Sequence, residues 1–436
     1  MLAVGNSRRQ VKIGLMGLGV VGGGVARVLT EKAGIFSQQI GCPLFLGRVL
    51  EKDPAKAQAL SLDPALVTAD AESFLAEPDV DIVIELLGGE SPAYEYTKRS
   101  LQAGRYVVTA NKEVMAKHGP ELLALARKKG VDILYEGSVG GGIPIIAPLK
   151  RDLLANDITA ISAIINGTTN YILTHMSREG QDFAEALRQA QSLGYAEADP
   201  TNDVEGIDAT YKLAILASLA FHTEVTPDDV YREGITGLTA KDFRYAQEMG
   251  YAIKLLAVGK REDKKIQVRV HPVLLAETEP LAKVDGVLNA VQVEGDLVGR
   301  AMFQGPGAGS LPTSGAVAAD VLNAAHSLAH GGCEPIRWPR RRGLSVKPMA
   351  ELRTRYYMRM TVADRPGVLA QIANVLGRHQ ISIATVIQKE ADEEAQTAEI
   401  VITTHQAQEK AVQIALRKAA ALEVVSDIGG FIRVEG

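Results

Sequence analysis

The first 140 residues alternate short apolar runs with helical segments, and this alternation constrains the fold more than any other feature of the chain. Such a pattern is typical of a parallel sheet that is covered by helices on both faces. The predicted strands are Val11 to Met16, Leu44 to Leu50, Val80 to Leu87, Tyr106 to Ala110 and Val131 to Tyr135. The sequence therefore predicts an α/β fold that begins with a doubly wound sheet.

A glycine-rich turn, GLGVVG, follows the first predicted strand directly. Its three glycines have the spacing that lets backbone amides and a helix N-terminus hold a pyrophosphate. A turn used only for tight packing has the same letters, but its place in an alternating pattern favours dinucleotide binding. We therefore expect a Rossmann-like domain over residues 1–150. The expected cofactor-binding residues of the turn are Gly17, Leu18, Gly19, Val20, Val21 and Gly22.

The second predicted strand ends in RVLEKDP, where this fold class binds the adenosine ribose of its cofactor. Glu51 can accept a hydrogen bond from a ribose 2'-hydroxyl, whereas Arg48 and Lys52 can pair with a 2'-phosphate. Two cations against one acid favour NADPH, and NADH remains possible.

Lys112 follows the predicted strand Tyr106 to Ala110, in the sequence VTANKE. The carboxyl ends of parallel strands form the ligand-binding edge of an open sheet, so we expect Lys112 at the nicotinamide end of the cleft. A glycine run, YEGSVGGGIPII at 135–146, comes after the last strand. Its backbone can turn carbonyl oxygens inward, which suits a monovalent cation as well as it suits a hinge.

From about residue 150 the pattern changes to helices followed by strands, which predicts an α+β substrate domain over 151–304. Within it, the stretch 195–219 carries five carboxylates and one lysine into an otherwise uncharged helix. Asp208 and Lys212 share one helical stripe with apolar residues. A lysine held by carboxylates at a desolvated boundary is suited to carry a proton. The alternative is a surface ion pair with Asp203 as a helix cap.

A second glycine loop, GPGAGSLPTSGAVAAD, enters a helix, and we expect residues 305–328 to pack back onto the nucleotide domain. An ordinary loop before a proline-started helix is the alternative. Residues 329–354 contain the basic run RWPRRR and are predicted to be a solvated linker.

The last 82 residues, 355–436, show the order βαββαβ of a ferredoxin-like domain. They contain no cluster of catalytic character. Asp364 and Gly367 lie at the entry to the first helix of this domain, where free amides can bind the carboxylate of a small effector. Helix capping is the alternative role for Asp364.

Composition narrows the class of ligand. The 47 basic and 52 acidic residues leave a net charge of -5, which gives no electrostatic reason to expect nucleic acid or an anionic membrane as a partner. Cys42 and Cys333 are the only cysteines, too few for a disulfide framework. No apolar run approaches the roughly 20 residues of a membrane helix, and the polar start lacks a signal peptide. We expect a cytoplasmic protein with small-molecule ligands.

Taken together, these motifs resemble a known family. GLGVVG, TANKE, YEGSVGGGIP, INGTTNYIL, YAEADPTNDVEGIDATYKLAILA and GPGAGSLPTSGAV, in this order, are similar to homoserine dehydrogenases, and DRPGVLAQIANVL is similar to an ACT regulatory domain. The resemblance covers nearly the whole chain. It implies reduction of L-aspartate 4-semialdehyde to L-homoserine by NADPH or NADH, on the route to threonine, methionine and isoleucine.

The resemblance also implies residue roles. Lys212 is then the proton donor and Lys112 a second active-site lysine. An amino-acid substrate brings its own ammonium, and the expected substrate-binding residues are Glu197, Asp208, Asp203 and Thr168. Gly194 and Gly309 are expected beside the cofactor, and the expected sodium loop consists of Glu136, Val139, Gly141 and Ile143.

Regulation and assembly follow from the same resemblance. The ACT domain implies feedback control, with threonine as the expected effector, and the substrate domain is expected to dimerise, giving a homodimer or homotetramer. RVLEKDP departs from the commoner family pattern, in which an arginine often takes the place of Lys52, so the cofactor preference stays open. Two alternatives remain: a related dehydrogenase for another amino acid, and a non-catalytic amino-acid sensor.

Overall fold

The computed structural model describes residues 10–331, 341, 343–392 and 394–435. Cys333 and most of the basic run at 337–342 lie outside the described residues. The described chain forms two compact units. The first contains residues 10–161, 211–228, 289–331 and 341, and the second contains 162–210, 229–288, 343–392 and 394–435.

The strands are numbered in chain order. They are β1 Val11–Met16, β2 Leu44–Leu50, β3 Val67–Thr68, β4 Ile82–Glu85, β5 Tyr106–Thr109, β6 Ile133–Leu134, β7 Ile158–Ile164, β8 Tyr231–Arg232, β9 Tyr251–Glu262, β10 Lys265–Ala276, β11 Leu288–Gly295, β12 Gly299–Pro306, β13 Ser345–Val346, β14 Arg353–Ala363, β15 Ile383–Asp392, β16 Thr397–Thr404, β17 Ala407–Gln408 and β18 Val425–Glu435.

The α-helices are numbered in the same way. They are α1 Val20–Glu31, α2 Ala33–Ile40, α3 Pro54–Ala59, α4 Ala71–Ala76, α5 Ala93–Gln102, α6 Lys112–Lys129, α7 Ile146–Lys150, α8 Gly167–Glu179, α9 Phe183–Ser192, α10 Thr201–Val204, α11 Ile207–Ala220, α12 Ala240–Glu248, α13 Ser310–Ala329, α14 Val368–Arg378 and α15 Glu409–Ala420. No helix in the described ranges has both the length and the hydropathy that crossing a membrane requires.

The first unit is built on a parallel sheet with the strand order β3-β2-β1-β4-β5-β6. This confirms the predicted Rossmann-like sheet. The order reverses between β1 and β4, and such a switch point is where open parallel sheets bind ligands. The predicted last strand is shorter than expected, Ile133–Leu134, because the chain turns into a 3-10 helix at Glu136.

A long helix from late in the chain completes the core of the first unit. α13 packs against α1, and Val317 and Val321 are buried together with residues of β1 and α1. The hydroxyl of Ser310 donates to the carbonyl oxygen of Val20 at 2.9 Å. A Cβ on Gly24 would lie 2.4 Å from the hydroxyl oxygen of Ser314, so glycine allows the two helices to approach closely.

The second unit contains a mixed sheet that runs through its two parts without a break. Its strand order is β9-β10-β18-β14-β16-β15. β18 pairs in parallel with β10, so that Arg433 lies opposite Val273, and it pairs in the antiparallel direction with β14. The last strand of the chain therefore joins the ACT-like domain to the substrate-domain strands.

The C-terminal part of the second unit has the predicted βαββαβ order, formed by β14, α14, β15, β16, α15 and β18. Its core fills with alternate residues of β14, such as Met358 and Met360, and with one face of each helix, including Ile372 and Val412. The ferredoxin-like prediction is confirmed, and the strand alternation and helical spacing in the sequence explain why.

Candidate active site

Close backbone contacts shape the glycine turn between β1 and α1. Gly17 has a φ of +91°, and a Cβ there would lie 2.8 Å from the carbonyl oxygen of Leu86. A Cβ on Gly22 would lie only 2.0 Å from the carbonyl oxygen of Gly17. Gly19 is the N-cap of α1, and no atom comes within 4 Å of the position of its Cβ. The turn therefore packs against backbone at Gly17 and Gly22 and leaves open space at Gly19, at the helix N-terminus. Open space at a helix N-terminus fits a pyrophosphate.

The carboxylate at the end of β2 holds this turn in place. Glu51 accepts hydrogen bonds from the backbone N–H of Leu18 at 2.7 Å and of Asp53 at 3.0 Å. Burial alone would raise the pKa of Glu51, but the two N–H donors and Lys56 outweigh it and lower the pKa. Glu51 is therefore an anionic support of the turn.

The other residues predicted to contact the cofactor differ in exposure. The guanidinium of Arg48 donates to the hydroxyl of Ser73 at 3.0 Å and to the carbonyl oxygen of Ala65 at 3.4 Å, whereas Lys52 is open to solvent. Of the two cations predicted for a 2'-phosphate, Arg48 is held by these contacts, and among the described residues Lys52 has no comparable hydrogen bond. Val20, at the start of α1, is 77% exposed, and Val21 is partly buried.

Lys112 is the first residue of α6 and follows β5 directly. The N-cap of this helix is Asn111, whose side-chain oxygen accepts from the N–H of Val114 at 3.1 Å. The amide nitrogen of Asn111 donates to the carbonyl oxygen of Gly89 at 2.7 Å, which ties the loops after β4 and β5 together. Lys112 therefore stands on a backbone that is fixed at the ligand-binding edge of the sheet.

The helix α11 carries Asp208 near its start and Lys212 one turn later. Asp208 is 4% exposed and Lys212 is 9% exposed, in agreement with the predicted desolvated stripe. The residues after Lys212 on this helix carry no charge, and Leu213 and Leu216 are fully buried. Burial on an apolar helix makes a solvated surface ion pair a poor description of this pair of residues.

Three side chains of the second unit form a hydrogen-bonded acidic group. The amide nitrogen of Asn166 donates to Asp203 at 2.6 Å and to Asp208 at 2.9 Å. Its side-chain oxygen accepts from the N–H of Thr169 at 2.9 Å, and this makes Asn166 the N-cap of α8. One amide therefore fixes two carboxylates and a helix start. We call Asn166, Asp203 and Asp208 the acidic triplet.

The segment before α10 presents further predicted residues to solvent. Glu197 is exposed, and its backbone carbonyl accepts from the amide of Gln191 at 3.1 Å. Gly194 has a φ of +75° and an open surrounding. Thr168 lies inside the first turn of α8, and its hydroxyl donates to the carbonyl oxygen of Tyr195 at 2.8 Å. Thr168 thereby anchors this exposed segment.

The predicted cation loop contains a buried glutamate whose carboxylate already accepts hydrogen bonds from backbone N–H groups. The carboxylate of Glu136 accepts from the N–H groups of Ile145, Ile146 and Ala147 at 2.6, 2.8 and 2.6 Å. These amides belong to the start of α7, so the carboxylate caps a helix. A cation in this loop would therefore be held by backbone carbonyl oxygens. Among the described residues, no group of three or more histidine, cysteine, aspartate or glutamate side chains is placed to hold a metal ion.

The two glycine loops of the first unit touch each other. The N–H of Gly142 donates to the carbonyl oxygen of Pro306 at 3.1 Å, and a Cβ on Gly141 would lie 2.5 Å from the carbonyl oxygen of Gly307. Beside Gly307 lies Asn289, which is 1% exposed and whose side-chain amide has no hydrogen-bond partner among the described residues. An unpaired buried amide costs free energy, so this position fits a bound polar group.

Comparisons with known proteins match most of the chain. Residues 17–136 match the family model described as the NAD binding domain of homoserine dehydrogenase, residues 144–322 match the homoserine dehydrogenase model, and residues 356–423 match the ACT domain model. The homoserine dehydrogenase of Neisseria gonorrhoeae is 42% identical over 435 residues, which cover 98% of this chain and 99% of that protein.

The chain belongs to the homoserine dehydrogenase family. It is an NAD(P)-dependent oxidoreductase whose N-terminal domain binds a nicotinamide dinucleotide. Within this family, the solved homoserine dehydrogenase of Thiobacillus denitrificans has 41% identity and a TM-score of 0.91, with 98% of each chain covered. A hyperthermophilic archaeal homoserine dehydrogenase in complex with NADPH has 30% identity and a TM-score of 0.62, and covers 72% of this chain and 97% of its own.

The predicted effector residues of this homoserine dehydrogenase family member lie at the start of α14. Gly367 is the N-cap of the helix and has a φ of +88°. Asp364 is exposed, and its N–H donates to the carbonyl oxygen of Gln396 at 2.9 Å. The helix cap is therefore Gly367 and not Asp364, which removes the capping alternative for this aspartate.

Sequence reasoning missed two supporting residues of the site. Asn166 lies in the motif INGTTNYIL, and the sequence alone does not indicate its contacts with two carboxylates. Glu85, at the end of β4, is completely buried and accepts from the hydroxyl of Thr109 at 2.7 Å. Burial raises the pKa of Glu85 despite the hydrogen bonds it receives. The position of Glu85 at the carboxyl end of a central parallel strand was the signal that could have identified it.

Proposed function

We propose that this protein catalyses the NAD(P)H-dependent interconversion of L-aspartate 4-semialdehyde and L-homoserine, in the biosynthesis of threonine, methionine and isoleucine. The observation that carries the proposal is the helix α11, on which a buried carboxylate and a buried lysine lie one turn apart. Family membership supports the substrate, because the homoserine dehydrogenases that the chain resembles are named for this alcohol.

Lys212 is assigned the proton-transfer role. Addition of a hydride to the aldehyde carbon leaves negative charge on the oxygen, and a positioned ammonium can supply the proton as that charge develops. When bound, the nicotinamide cofactor supplies the hydride. Lys112 is assigned the second active-site lysine, since the fixed N-terminus of α6 holds it at the edge of the sheet.

The carboxylates are assigned to the amino-acid end of the substrate. The acidic triplet offers Asp208 and Asp203 in a fixed arrangement, and Glu197 lies on the exposed segment next to it in the chain. Carboxylates bind a substrate ammonium well when they are held in advance, because little conformational freedom is lost on binding. Thr168 orders the segment that bears Glu197 and Gly194.

NADPH is the proposed cofactor, and NADH is expected to work as well. Lys52 is the cation that remains available for a 2'-phosphate, and Glu51 is engaged in supporting the glycine turn. The guanidinium of Arg48 contacts Ser73, so we assign Arg48 a long-range electrostatic attraction to the cofactor phosphate and not a direct contact. Gly309, which has a φ of +124°, opens α13 and is assigned to the far side of the cofactor.

A monovalent cation, Na+, is proposed at the backbone carbonyls of Glu136, Val139, Gly141 and Ile143. The positive φ angles of Gly140 and Gly141 and the buried, unpaired amide of Asn289 support such a bound group. Because the carboxylate of Glu136 caps α7, its carbonyl oxygen is the ligand we assign. We assign the cation a structural role in fixing the two glycine loops.

We also propose that threonine regulates the enzyme through the ACT domain, with Asp364 and Gly367 at the effector site. The proposed assembly is a homodimer or homotetramer, and the proposed location is the cytoplasm. The domain limits proposed from the sequence, 1–150, 151–304, 329–354 and 355–436, are retained with it. The ACT domain model matched at 356–423 supports effector binding of this chemical class.

One assay tests the reaction. Purified protein is mixed with L-aspartate 4-semialdehyde and NADPH or NADH, and the loss of reduced cofactor is followed with and without threonine. Reduction of the semialdehyde at the highest kcat/KM in a panel of amino-acid aldehydes is expected. Preference for another aldehyde would indicate a related dehydrogenase, and binding of threonine without any oxidation of NADPH would indicate a sensor.

A further inference from the structure

Arg433, near the end of the chain, links two parts of the second unit. It lies on β18 and is 1% exposed. Its guanidinium donates to Glu409 at 2.6 and 2.9 Å, within the ACT domain, and to Glu233 at 2.7 and 3.0 Å, in the substrate domain. Two hydrogen bonds to each carboxylate fix the orientation of the guanidinium as well as its distance from the carboxylate. Tyr231 donates its hydroxyl proton to Glu233.

Glu233 begins a short segment that packs against Val204 and Glu205 of the substrate domain. The N–H of Ile235 donates to the carbonyl oxygen of Val204 at 2.9 Å. A Cβ on Gly234 would lie 2.5 Å from the same oxygen and 2.9 Å from the Cα of Glu205, so the two backbones are in direct contact. The hydroxyl of Thr236 donates to the side chain of Glu205 at 3.3 Å. We call residues 233–236 the bracing segment.

The contact made by the bracing segment is next to the acidic triplet in the chain. Val204 follows Asp203, and Gly206, with a φ of +74°, leads into α11 and Asp208. A Cβ on Gly206 would lie 3.2 Å from a methyl group of Val270, so the backbone of this turn packs closely against β10. Movement of the bracing segment would therefore change the positions of Asp203 and Asp208.

We propose that Glu233 is a positioning residue for the substrate carboxylates, and that Arg433 carries the state of the ACT domain to it through their paired hydrogen bonds. The inference rests on the proposed function, which makes Asp203 and Asp208 ligands of the substrate ammonium. An amino acid bound to the ACT domain acts on the site by altering how Arg433 divides its donors between Glu409 and Glu233. Loss of the contact between the bracing segment and Val204 then weakens substrate binding more than it affects proton transfer.

The first test is Glu233→Gln, which keeps the shape of the side chain and leaves Arg433 paired with Glu409. The expected result is a rise of about fivefold or more in KM for the semialdehyde, with kcat within about twofold of wild type, because coupling between sites has this typical size. The same variant is expected to lose most of its response to the effector amino acid. A folded Glu233→Gln protein with the KM of wild type would overturn the proposal.

Glu399→Gln is the matched control. Glu399 likewise accepts a hydrogen bond from an ACT-domain arginine, Arg359, at 3.2 Å, and Arg359 keeps Asp242 when Glu399 is changed. This variant also removes one carboxylate from an arginine, but the hydrogen-bond partners of Glu399 among the described residues, Arg359, Lys241 and Tyr245, lie outside the bracing segment. Its KM is expected to equal that of wild type. An equal rise in KM in both variants would show general loosening and would overturn the proposal.

Gly234→Ala tests the route directly, because its methyl group pushes on Val204 and Glu205 and leaves the ion pair intact. The double variant with Glu233→Gln is expected to have a KM no higher than that of Gly234→Ala alone, since both changes act through one contact. Simple additivity of the two effects would contradict the inferred route.

Hydrogen exchange separates this inference from the proposed function. Amides at Ile235 and at 204–206 are expected to exchange faster in Glu233→Gln than in wild type, whereas the same amides in Glu399→Gln are unchanged. This measurement needs no substrate. If wild-type protein fails to reduce the semialdehyde, the proposed function fails, yet faster exchange still supports the brace. Unchanged exchange in Glu233→Gln overturns the brace, whatever the activity.

Discussion

Asn166 and Asp208 are joined by a hydrogen bond of 2.9 Å from the amide nitrogen to the carboxylate, although they are 42 positions apart in the chain. The same nitrogen also reaches Asp203 at 2.6 Å. Two carboxylates side by side repel each other, and a shared donor lowers that cost. The arrangement therefore holds two carboxylates close together, and the residue that does so is neutral.

Replacement of Asn166 with serine tests this role. Serine keeps the N-cap of α8 but is too short to replace the amide donor, so any loss of stability is expected to come from the two carboxylates and not from the helix start. KM for the semialdehyde is expected to rise about tenfold, corresponding to loss of roughly 1 to 2 kcal/mol of hydrogen bonding to charged groups. Steady-state kinetics and a thermal melt measure the two quantities. Asn166→Ala, which lacks the cap as well, serves as comparison and should be about 1 kcal/mol less stable.

Lys212→Ala is expected to lower kcat by about a hundredfold to ten-thousandfold, the usual contribution of a positioned general acid. The dissociation constant for NADPH, measured by fluorescence titration, should stay close to wild type because the glycine turn is untouched. Lys117→Met provides a control, since Lys117 is a partly exposed lysine of the same unit that pairs with Glu90 and Glu113. Unchanged kcat in Lys212→Ala would refute the proton-donor role.

Gly22→Ala is expected to weaken NADPH binding by more than about tenfold. The added methyl group would lie 2.0 Å from the carbonyl oxygen of Gly17, so the turn must open and its amides lose their alignment. Gly23→Ala is the matched control, because its nearest neighbour, on Leu60, lies at an ordinary 3.7 Å. Equal affinity in the two variants would show that the shape of the turn does not determine cofactor binding.

Local patterns in the sequence predicted much of the fold. Strand alternation and helical spacing identified the Rossmann-like sheet and the ferredoxin-like order, since both patterns depend on neighbours a few positions apart. The link formed by β10 and β18 could not be predicted in this way. Arg433 contacts Glu233 across 200 positions, and nothing in either local sequence specifies the other.

For the candidate site, the sequence supports predictions that depend on the type and spacing of residues within one segment, but not those that depend on contacts between distant segments. The stripe of one helix predicts that Asp208 and Lys212 lie at a desolvated boundary, and their burial agrees with that part of the prediction. Glu136 was predicted as a cation ligand, but the direction of its carboxylate depends on a turn that brings Ile145 to it. Asn166 was missed because an asparagine before a helix is ordinarily a cap, and its second role depends on a distant loop.

The pH dependence of stability is expected to depend in part on Glu435, at the end of β18. This carboxylate is 8% exposed and accepts from Arg269 at 2.7 Å and from Lys260. Burial acts to raise its pKa, but the two cations prevail and lower the pKa from 4.5 to about 2. Because the folded-state pKa is below the unfolded value, the carboxylate stabilises the protein above about pH 4.5 and loses that effect as the pH falls through about 2.

Glu435→Gln should therefore be less stable than wild type by about 3 kcal/mol near pH 7, as judged by urea unfolding. The difference should shrink steadily between about pH 5 and pH 2, because wild type then takes up a proton on unfolding that the variant cannot. Glu351→Gln is the control: Glu351 forms an exposed pair with Lys265, and screening by water makes such pairs contribute little. A stability difference for Glu435→Gln that stays constant across this pH range would mean that packing of the last strand, and not the charge of Glu435, holds β18 against β10.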